Sequence, residues 1–479
     1  MNFSLFCVHS TGLAVAIASS AALPIAFLAP TFASSVAAQT PPETQPDAVQ
    51  VPDFLNPNPN LLQFPTRPEE VKIQRTQPIT LAEALELAKR HNRDLQVSIL
   101  ELERSRSALR ESKAALFPNV GVNANLTNSR NASIGGSSQS TTAFNGQAQI
   151  NYDLFTSGDR QASIRAAEER LRIDELDVEN RSLEIRLNVT TQYYDLQQAD
   201  EQVRINQSAV ENSQASLRDA QARERAGVGT RFDVLQSQVN LANAQQDLTN
   251  SFSQQRIARR RFAALINLAQ SVDISAADAV EVAGLWQQTL EESIIQAFQN
   301  RPELLQVLGE RNIFEQQRRQ AISRLGPQIS LNGNYSVIDR FNDGLSATDG
   351  YSVGLRASLT LFDGGAARAS AAQSKINIAI AESQFASQRE LIRFDVEQFY
   401  AQLQSNLDNI QTSSVALNQA REALSLARLR FEAGVGTQTD VIFAENDLTR
   451  AEGNRVTAIL DYNRALANLQ RTVTFRSAR

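Results

Sequence analysis

The chain contains 479 residues and has a formal net charge of −6, a balance that gives no support to nucleic-acid binding. Its single cysteine, Cys7, and its two histidines, His9 and His91, exclude a disulfide framework and a zinc site built from cysteine and histidine. The sequence also contains no phosphate-binding loop, metal-binding triad or nucleophile elbow. We therefore expect a protein without catalytic residues, metal or cofactor.

The first 78 residues predict an export signal followed by a linker. An apolar run, Leu13–Phe32, leads into small residues that suit signal-peptidase cleavage, so residues 1–38 are predicted to be a signal peptide. Because no lysine or arginine precedes this run, an uncleaved anchor helix stays as the alternative. Residues 39–78 contain nine of the 14 prolines and are predicted to be an extended or disordered linker.

An internal repeat organises the remaining chain. Residues 79–270 form the first copy and residues 289–472 form the second, which indicates one duplicated architecture. Residues 271–288 interrupt the pattern and are predicted to form a strap around the middle of the molecule. Residues 473–479 are predicted to be a short C-terminal tail.

Each copy contains two predicted strands of alternating apolar and polar residues. They lie near residues 119–127 and 144–155 in the first copy, and near 328–338 and 351–362 in the second. Residues 128–143 and 339–350 are rich in polar residues and are predicted to be loops.

Alternation over about ten residues is typical of the wall of a membrane β-barrel, with apolar side chains towards lipid and polar side chains towards the lumen. A half-buried soluble sheet shows the same alternation and stays as the alternative for any one strand. On the barrel interpretation, Asp153 and Arg356 are predicted to face the lumen.

The number of strands predicts an oligomer. Four strands cannot close a barrel, since closed barrels need about eight. An open sheet edge in lipid would leave its N–H and C=O groups without partners. Two copies of the chain would give eight strands and three would give twelve. Because an eight-stranded barrel is filled by its own side chains, a conducting pore favours a homotrimer in contact with membrane lipid.

Long helices follow the second strand of each copy. In the first copy the helical pattern runs from Asp159 to Ala226, which corresponds to ~100 Å at a rise of 1.5 Å per residue. Apolar residues recur every seven positions, as in coiled coils. This spacing shifts by four residues between Ile185 and Val189, and again between Ile392 and Val396. The shift indicates that the two halves of each helix pack against different neighbours.

A five-residue turn ends each long helix. The turns are Ala226, Gly227, Val228, Gly229 and Thr230 in the first copy, and Ala433, Gly434, Val435, Gly436 and Thr437 in the second. Glycine adopts the left-handed backbone that ends a helix, and the threonines can cap the returning helix. Asp233 and Asp440 then lie in the first turn of that helix.

On these motifs the chain resembles the TolC-like outer-membrane efflux family over about residues 79–472. The motifs are the helix breaks at Asn92 and Asn300, the prolines Pro118 and Pro327, the strand exits Leu154-Phe155 and Leu361-Phe362, and the two turns. The resemblance implies an α+β membrane protein in the outer membrane. In that fold a homotrimeric twelve-stranded barrel, with four strands from each protomer, continues into a long α-helical coiled-coil tunnel in the periplasm.

The resemblance also implies a function and a site. Such proteins are passive exit ducts for tripartite efflux or type I secretion, and receive substrates from an inner-membrane RND or ABC transporter through a periplasmic adaptor. The turns would dock the adaptor, and Asp233, Asp440, Arg231 and Gln438 would lie at a periplasmic gate. Gln438 and Phe443 replace a basic and an acidic residue of the family.

Other interpretations of the sequence stay open. Asp233 and Asp440 could instead serve only as charges at helix N-termini. An exported coiled-coil structural or adhesive surface protein is the alternative function, although a fibre needs no internal repeat. A free-standing diffusion porin is disfavoured because only four strands accompany so many helices.

Overall fold

The computed structural model describes residues 62–132, 138–269, 271–341 and 346–473. The predicted signal peptide, the linker up to residue 61 and the tail from residue 474 onward lie outside the described residues. Within the described residues, no helix combines the length and the apolar character needed to cross a membrane.

Helices and strands alternate in two matching blocks. The helices are α1 (Pro68–Val71), α2 (Leu81–His91), α3 (Arg93–Ala114), α4 (Asp159–Arg225), α5 (Arg231–Leu265), α6 (Leu290–Asn300), α7 (Pro302–Ser323), α8 (Ala366–Glu432) and α9 (Gln438–Val473). The strands are β1 (Arg75–Ile79), β2 (Asn119–Ala132), β3 (Ser138–Phe155), β4 (Val272–Ala276), β5 (Gln328–Arg340) and β6 (Thr348–Ser358).

The two blocks repeat one order of elements. Two short helices, two strands and a long helical hairpin form the series α2–α3–β2–β3–α4–α5, which recurs as α6–α7–β5–β6–α8–α9. The long helices α4 and α8 each contain 67 residues. Each block opens with a capping box, made by Thr80 with Glu83 and by Thr289 with Glu292, because these pairs satisfy N–H groups that have no partner inside the helix.

Four strands form one antiparallel sheet in the order β2-β3-β5-β6. The register places Val120 opposite Ile150, Ile150 opposite Gly333, and Gly333 opposite Val353. Residues paired in this way share one face of a sheet, so apolar side chains form rows across all four strands. This face is exposed in the protomer, where Val353 is 72% and Tyr351 is 84% accessible.

The strands differ in length from the sequence prediction. β2, β3 and β5 extend into the polar segments predicted to be loops, because ladder hydrogen bonds use backbone groups and form between Ser, Thr and Asn residues as well. β6 occupies 348–358 rather than 351–362. It ends at Ser358 because its partner there is Gln328, the first residue of β5.

The middle of the molecule holds a second, two-stranded sheet. β1 pairs with β4 in parallel, so the end of the predicted linker is an ordered strand, which its proline content concealed. The part of the strap that follows β4 contacts both copies of the repeat. The Gln197 amide donates to the Asp278 carbonyl, and the Asn463 amide donates to the Glu281 carbonyl. Both large apolar clusters lie at this level, where residues of α2, α4, α5, β1 and β4 pack in one and residues of α6, α8 and α9 in the other.

The shift in heptad spacing marks a change of neighbours, as predicted. The N-terminal half of α4 packs against α3 and α7, with Lys113 on α3 3.3 Å from Glu168. The C-terminal half packs against α5 and α9, where the Asn206 amide donates to the Asp247 carbonyl and Arg464 pairs with Asp195 at 2.8 Å.

Two helical glycines provide a matched test of this packing. A Cβ atom at Gly309 on α7 would lie 2.7 Å from Cγ1 of the buried Ile173, whereas one at Gly453 on α9 would have no neighbour closer than 4.0 Å. We expect Gly309→Ala to lower the thermal unfolding midpoint, because overpacking costs about 1–3 kcal/mol. Gly453→Ala should leave the midpoint unchanged or raise it, since alanine favours the helix by about 1 kcal/mol. Equal midpoints for both variants would contradict the close α4–α7 contact.

Candidate gate at the helical turns

The two turns have the same geometry. Gly227 and Gly434 both adopt φ +77°, a left-handed value that favours glycine. In the first turn the backbone N–H groups of Val228 and Gly229 donate to the carbonyl of Arg223 at 3.0 and 3.1 Å. The corresponding groups of the second turn donate to the carbonyl of Arg430 at 2.9 and 3.0 Å. These bonds satisfy the last carbonyls of α4 and α8 and fix the shape of each tip.

Both predicted gate acids are part of the caps of the returning helices. The Thr230 hydroxyl accepts from the Asp233 N–H, and the Asp233 carboxylate accepts from the Thr230 N–H at 3.1 Å. Thr437 and Asp440 repeat the arrangement, with the Thr437 N–H 2.9 Å from the Asp440 carboxylate. Hydrogen bonding of the Asp440 carboxylate to the backbone and the side chain of Thr437 lowers the pKa of Asp440. Asp440 therefore carries a negative charge beside the second turn at neutral pH.

The two remaining predicted gate residues occupy different environments. Arg231 is exposed and lies 3.7 Å from Glu224 across the first turn. Gln438 is only 1% accessible, and its amide nitrogen donates to the Ser216 hydroxyl on α4 at 2.8 Å. Gln438 thus lies between the two hairpins of one protomer, whereas Arg231 lies on the exposed surface of its tip.

Arg223 forms a second link between the hairpins that sequence reasoning missed. Its guanidinium lies over the Phe431 ring at 4.1 Å from the centroid and donates to the carbonyls of Phe431 and Glu432. A cation over an aromatic face is attracted by the ring quadrupole. Arg223 therefore ties the end of α4 to the last turn of α8.

Arg428 forms a third link, through a charge pair of the second copy. Its guanidinium donates to Asn212 on α4 at 3.0 Å and to Glu445 on α9 at 3.2 Å. The first copy has Gln221 and Gln238 at the matching positions. The exchange of two glutamines for an oppositely charged pair at the same spacing was a signal in the sequence that could have identified this contact.

Glu445 is the buried member of that pair. Its side chain is 4% accessible, and burial raises the pKa of its carboxyl, while the Arg428 guanidinium acts in the opposite direction. A cleft of about 410 Å³ opens beside it, lined in part by Ser216, Asp219 and Arg428. Three helices, α4, α8 and α9, thus meet at one titratable group near the tips.

The predicted lumen residues lie in one row across the sheet. Asp153 pairs with Ser330, and Ser330 pairs with Arg356, so both charged residues belong to the polar face. Gln147 and Asn334 on that face are joined by a hydrogen bond of 2.7 Å. Within the described residues, no cluster of three or more His, Cys, Asp or Glu side chains could hold a metal ion.

The fold and the sheet together define a class of protein: an outer-membrane channel protomer that contributes four strands and two long helical hairpins. The model of the outer membrane efflux protein family matches residues 84–268 and 293–473, one segment in each copy of the repeat. The chain belongs to the outer membrane efflux protein family. This membership confirms the predicted TolC-like resemblance, the efflux role and the outer-membrane location.

Individual relatives agree with the family. The chain is 23% identical over 412 residues to the cobalt-zinc-cadmium resistance protein CzcC of Cupriavidus metallidurans, which covers 83% of this chain and 91% of that protein. The CusC structure matches with a TM-score of 0.74 at 16% identity, covering 89% of this chain and 98% of that one. The VceC structure from Vibrio cholerae matches with a TM-score of 0.70 at 19% identity, covering 82% of this chain and 95% of that one. These structural matches confirm the predicted α+β channel fold.

Glu445 makes the contact between the hairpins sensitive to pH. Because the folded protein binds a proton at Glu445 more tightly than the unfolded chain does, the stability contributed by this group increases as the pH falls through its raised pKa. We expect Glu445→Gln, which cannot titrate, to remove this part of the change in thermal midpoint between pH 7.5 and pH 5.

A matched control isolates the buried carboxyl. Glu452→Gln removes another ion pair between α9 and α8, the one with Arg421 at 3.6 Å, and should not reproduce the effect. If the wild-type protein and the Glu445→Gln variant changed equally with pH, the assigned role of Glu445 would be wrong.

Proposed function

We propose that the protein is the outer-membrane exit duct of a tripartite efflux or type I secretion assembly. Three copies would close one twelve-stranded barrel, and the long helices would continue it as a tunnel into the periplasm. Substrates delivered by an inner-membrane RND or ABC transporter would pass through a periplasmic adaptor into this tunnel. Transport through the duct itself is passive, and the conformation of the tips controls passage.

The observation that carries the proposal is a sheet with two free edges and an exposed apolar face. In the protomer, β2 pairs only with β3 and β6 only with β5 among the described strands. An edge in lipid leaves N–H and C=O groups unpaired, at a cost of several kcal/mol for each group. Pairing β6 of one protomer with β2 of the next removes every edge when the ring closes.

The turns support the gate and the docking surface. Val228 and Val435 are 72% and 69% accessible, so each tip presents an apolar side chain to a partner such as the adaptor. Asp233 and Asp440 lie three residues beyond these turns in sequence. A trimer would bring together six tips and six of these acids, which would form an acidic ring at the periplasmic mouth.

The hairpin links support a gate that opens by separating helices. Arg223, Gln438 and Arg428 join the first hairpin to the second close to the tips. Further from the tips, the strap and the two large apolar clusters join the helices at the middle of the molecule. Opening would break the links near the tips and leave the middle in place, with the docked adaptor binding the open arrangement more tightly.

Single-channel recording tests the acidic mouth. We expect Asp440→Asn, alone or with Asp233→Asn, to weaken block by divalent cations and to reduce cation selectivity, because the substitution removes negative charge at the pore entrance. The asparagine oxygen can still accept the Thr437 N–H, so the cap should persist. Conductance and block equal to those of the wild-type channel would exclude these acids from the mouth.

Two further variants separate charge from helix capping. Asp447→Asn removes an exposed acid two turns further along α9, which pairs with Arg450 at 3.1 Å, and should leave cation block unchanged. Thr437→Ala removes the capping hydroxyl but keeps the Asp440 charge. It should retain cation block even if the tip becomes less stable, and loss of block in this variant would indicate a purely structural role for the cap.

A further inference from the structure

A cleft at the junction of the sheet and the helices has the chemistry of an anion site. It measures about 380 Å³ and lies between the start of α4 and the end of α7. We infer that it binds the anionic phosphodiester head group of a lipid in the periplasmic leaflet of the outer membrane. This inference rests on the membrane location alone and does not require the trimer or the gate.

The topology places this cleft away from the sheet edges. α4 follows β3 and α7 precedes β5, and these two strands are the inner pair of the sheet. The outer strands β2 and β6 carry the edges at which neighbouring protomers would pair. A ligand between α4 and α7 therefore lies within one protomer, away from the edges at which protomers would pair.

The charges in the cleft are predominantly positive. Arg165 on α4 is exposed and takes part in none of the ion pairs found between described residues. Arg319 on α7 lines the same cleft and shares the carboxylate of Glu315 with Arg318, at 3.2 and 2.9 Å. The Asp159 carboxylate also lies beside the cleft, where it accepts from the Ser323 hydroxyl at 3.4 Å, so three guanidiniums stand against two carboxylates and the net charge stays positive. Guanidinium groups bind phosphate oxygens with directed hydrogen bonds.

Polar and apolar groups complete a lining that suits an amphiphile. The side chains of Gln161 and Gln316 also line the cleft and can donate to phosphate oxygens. Ile322 lines it too and is 49% accessible, which gives the site an apolar wall beside its cations. Free phosphate would gain nothing from such a wall, whereas the glycerol and first methylene groups of a lipid would cover it.

The surroundings place the cleft at head-group depth. Exposed apolar side chains continue to the end of the sheet that adjoins the helices, where Phe155 is 48% and Phe117 is 71% accessible. At the same end of the sheet, two exposed basic residues lie on the adjoining segments: Arg324 precedes β5, and Arg368 lies in the first turn of α8. Apolar side chains followed at once by cations are the arrangement found where a protein crosses from acyl chains to anionic head groups.

Native mass spectrometry of the full-length protein in lipid nanodiscs tests this site. Equal amounts of phosphatidylglycerol and phosphatidylcholine would be supplied, and lipid retained on the protein would be counted for each. We expect the wild-type protein to retain phosphatidylglycerol preferentially. Arg165→Gln with Arg319→Gln should reduce that preference by roughly fivefold for each charge removed, since one basic residue near a membrane contributes about 1 kcal/mol.

Matched variants distinguish a site from general attraction to charge. Arg172→Gln removes an exposed arginine on the same helix, ~10 Å further from the sheet by helix rise, and should keep the full preference. Arg165→Lys with Arg319→Lys should restore part of it. The mass of the intact assembly in each spectrum reports whether the variants still fold and associate.

Three results would overturn the assignment. Equal retention of both lipids by the wild-type protein would show that the cleft is not an anionic-lipid site. If Arg172→Gln lost as much of the preference for phosphatidylglycerol as Arg165→Gln with Arg319→Gln, the lipid would be held by general electrostatic attraction. Displacement of the lipid by millimolar inorganic phosphate would identify a free-phosphate site. None of these results bears on conductance or oligomeric state, so failure here is distinguishable from failure of the exit-duct proposal.

Discussion

The requirement that every backbone N–H and C=O group in lipid has a partner governs this structure. The protomer supplies four strands with an apolar face, and both outer strands keep one side without a ladder within the described residues. A soluble protein could leave such edges to water, but a bilayer cannot solvate them. From this constraint we infer that further copies of the chain close the barrel. Closure would also arrange the long helices of all copies around one axis.

The same constraint explains how stability is distributed along the helices. Helices of 67 residues are too long for one globular core, so the large apolar clusters lie at the middle, where the short helices and the strap cover them. Towards the tips a small apolar cluster around Leu424 and Val441 lies within the second hairpin. Polar contacts of Gln438, Arg428 and Glu445 lie between the two hairpins. Contacts that combine hydrogen bonds with a buried carboxyl are easier to separate than an apolar core, which suits the gate that we propose there.

Much of this architecture could be predicted from the sequence, because it depends on periodicity and repetition. The turns, the caps at Thr230 and Thr437 and the long helices are local features, and their duplication reinforces each signal. Strand ends were harder to predict, because β6 stops where β5 begins and not where its own pattern ends. β1 was missed because a single strand containing Pro78 has no signal without its partner β4. The role of Arg223 depends on a ring and carbonyls about 200 residues away, which no local pattern encodes.

The number of copies in the assembled channel tests most directly whether separate protomers close the barrel. Native mass spectrometry of the protein extracted in mild detergent, combined with a cryo-electron microscopy map, measures it without assumptions about the gate. We predict three chains around one axis, with β6 of each protomer hydrogen-bonded to β2 of the next in a barrel of twelve strands. A monomer, a dimer, or a ring in which these edges stay unpaired would contradict this prediction.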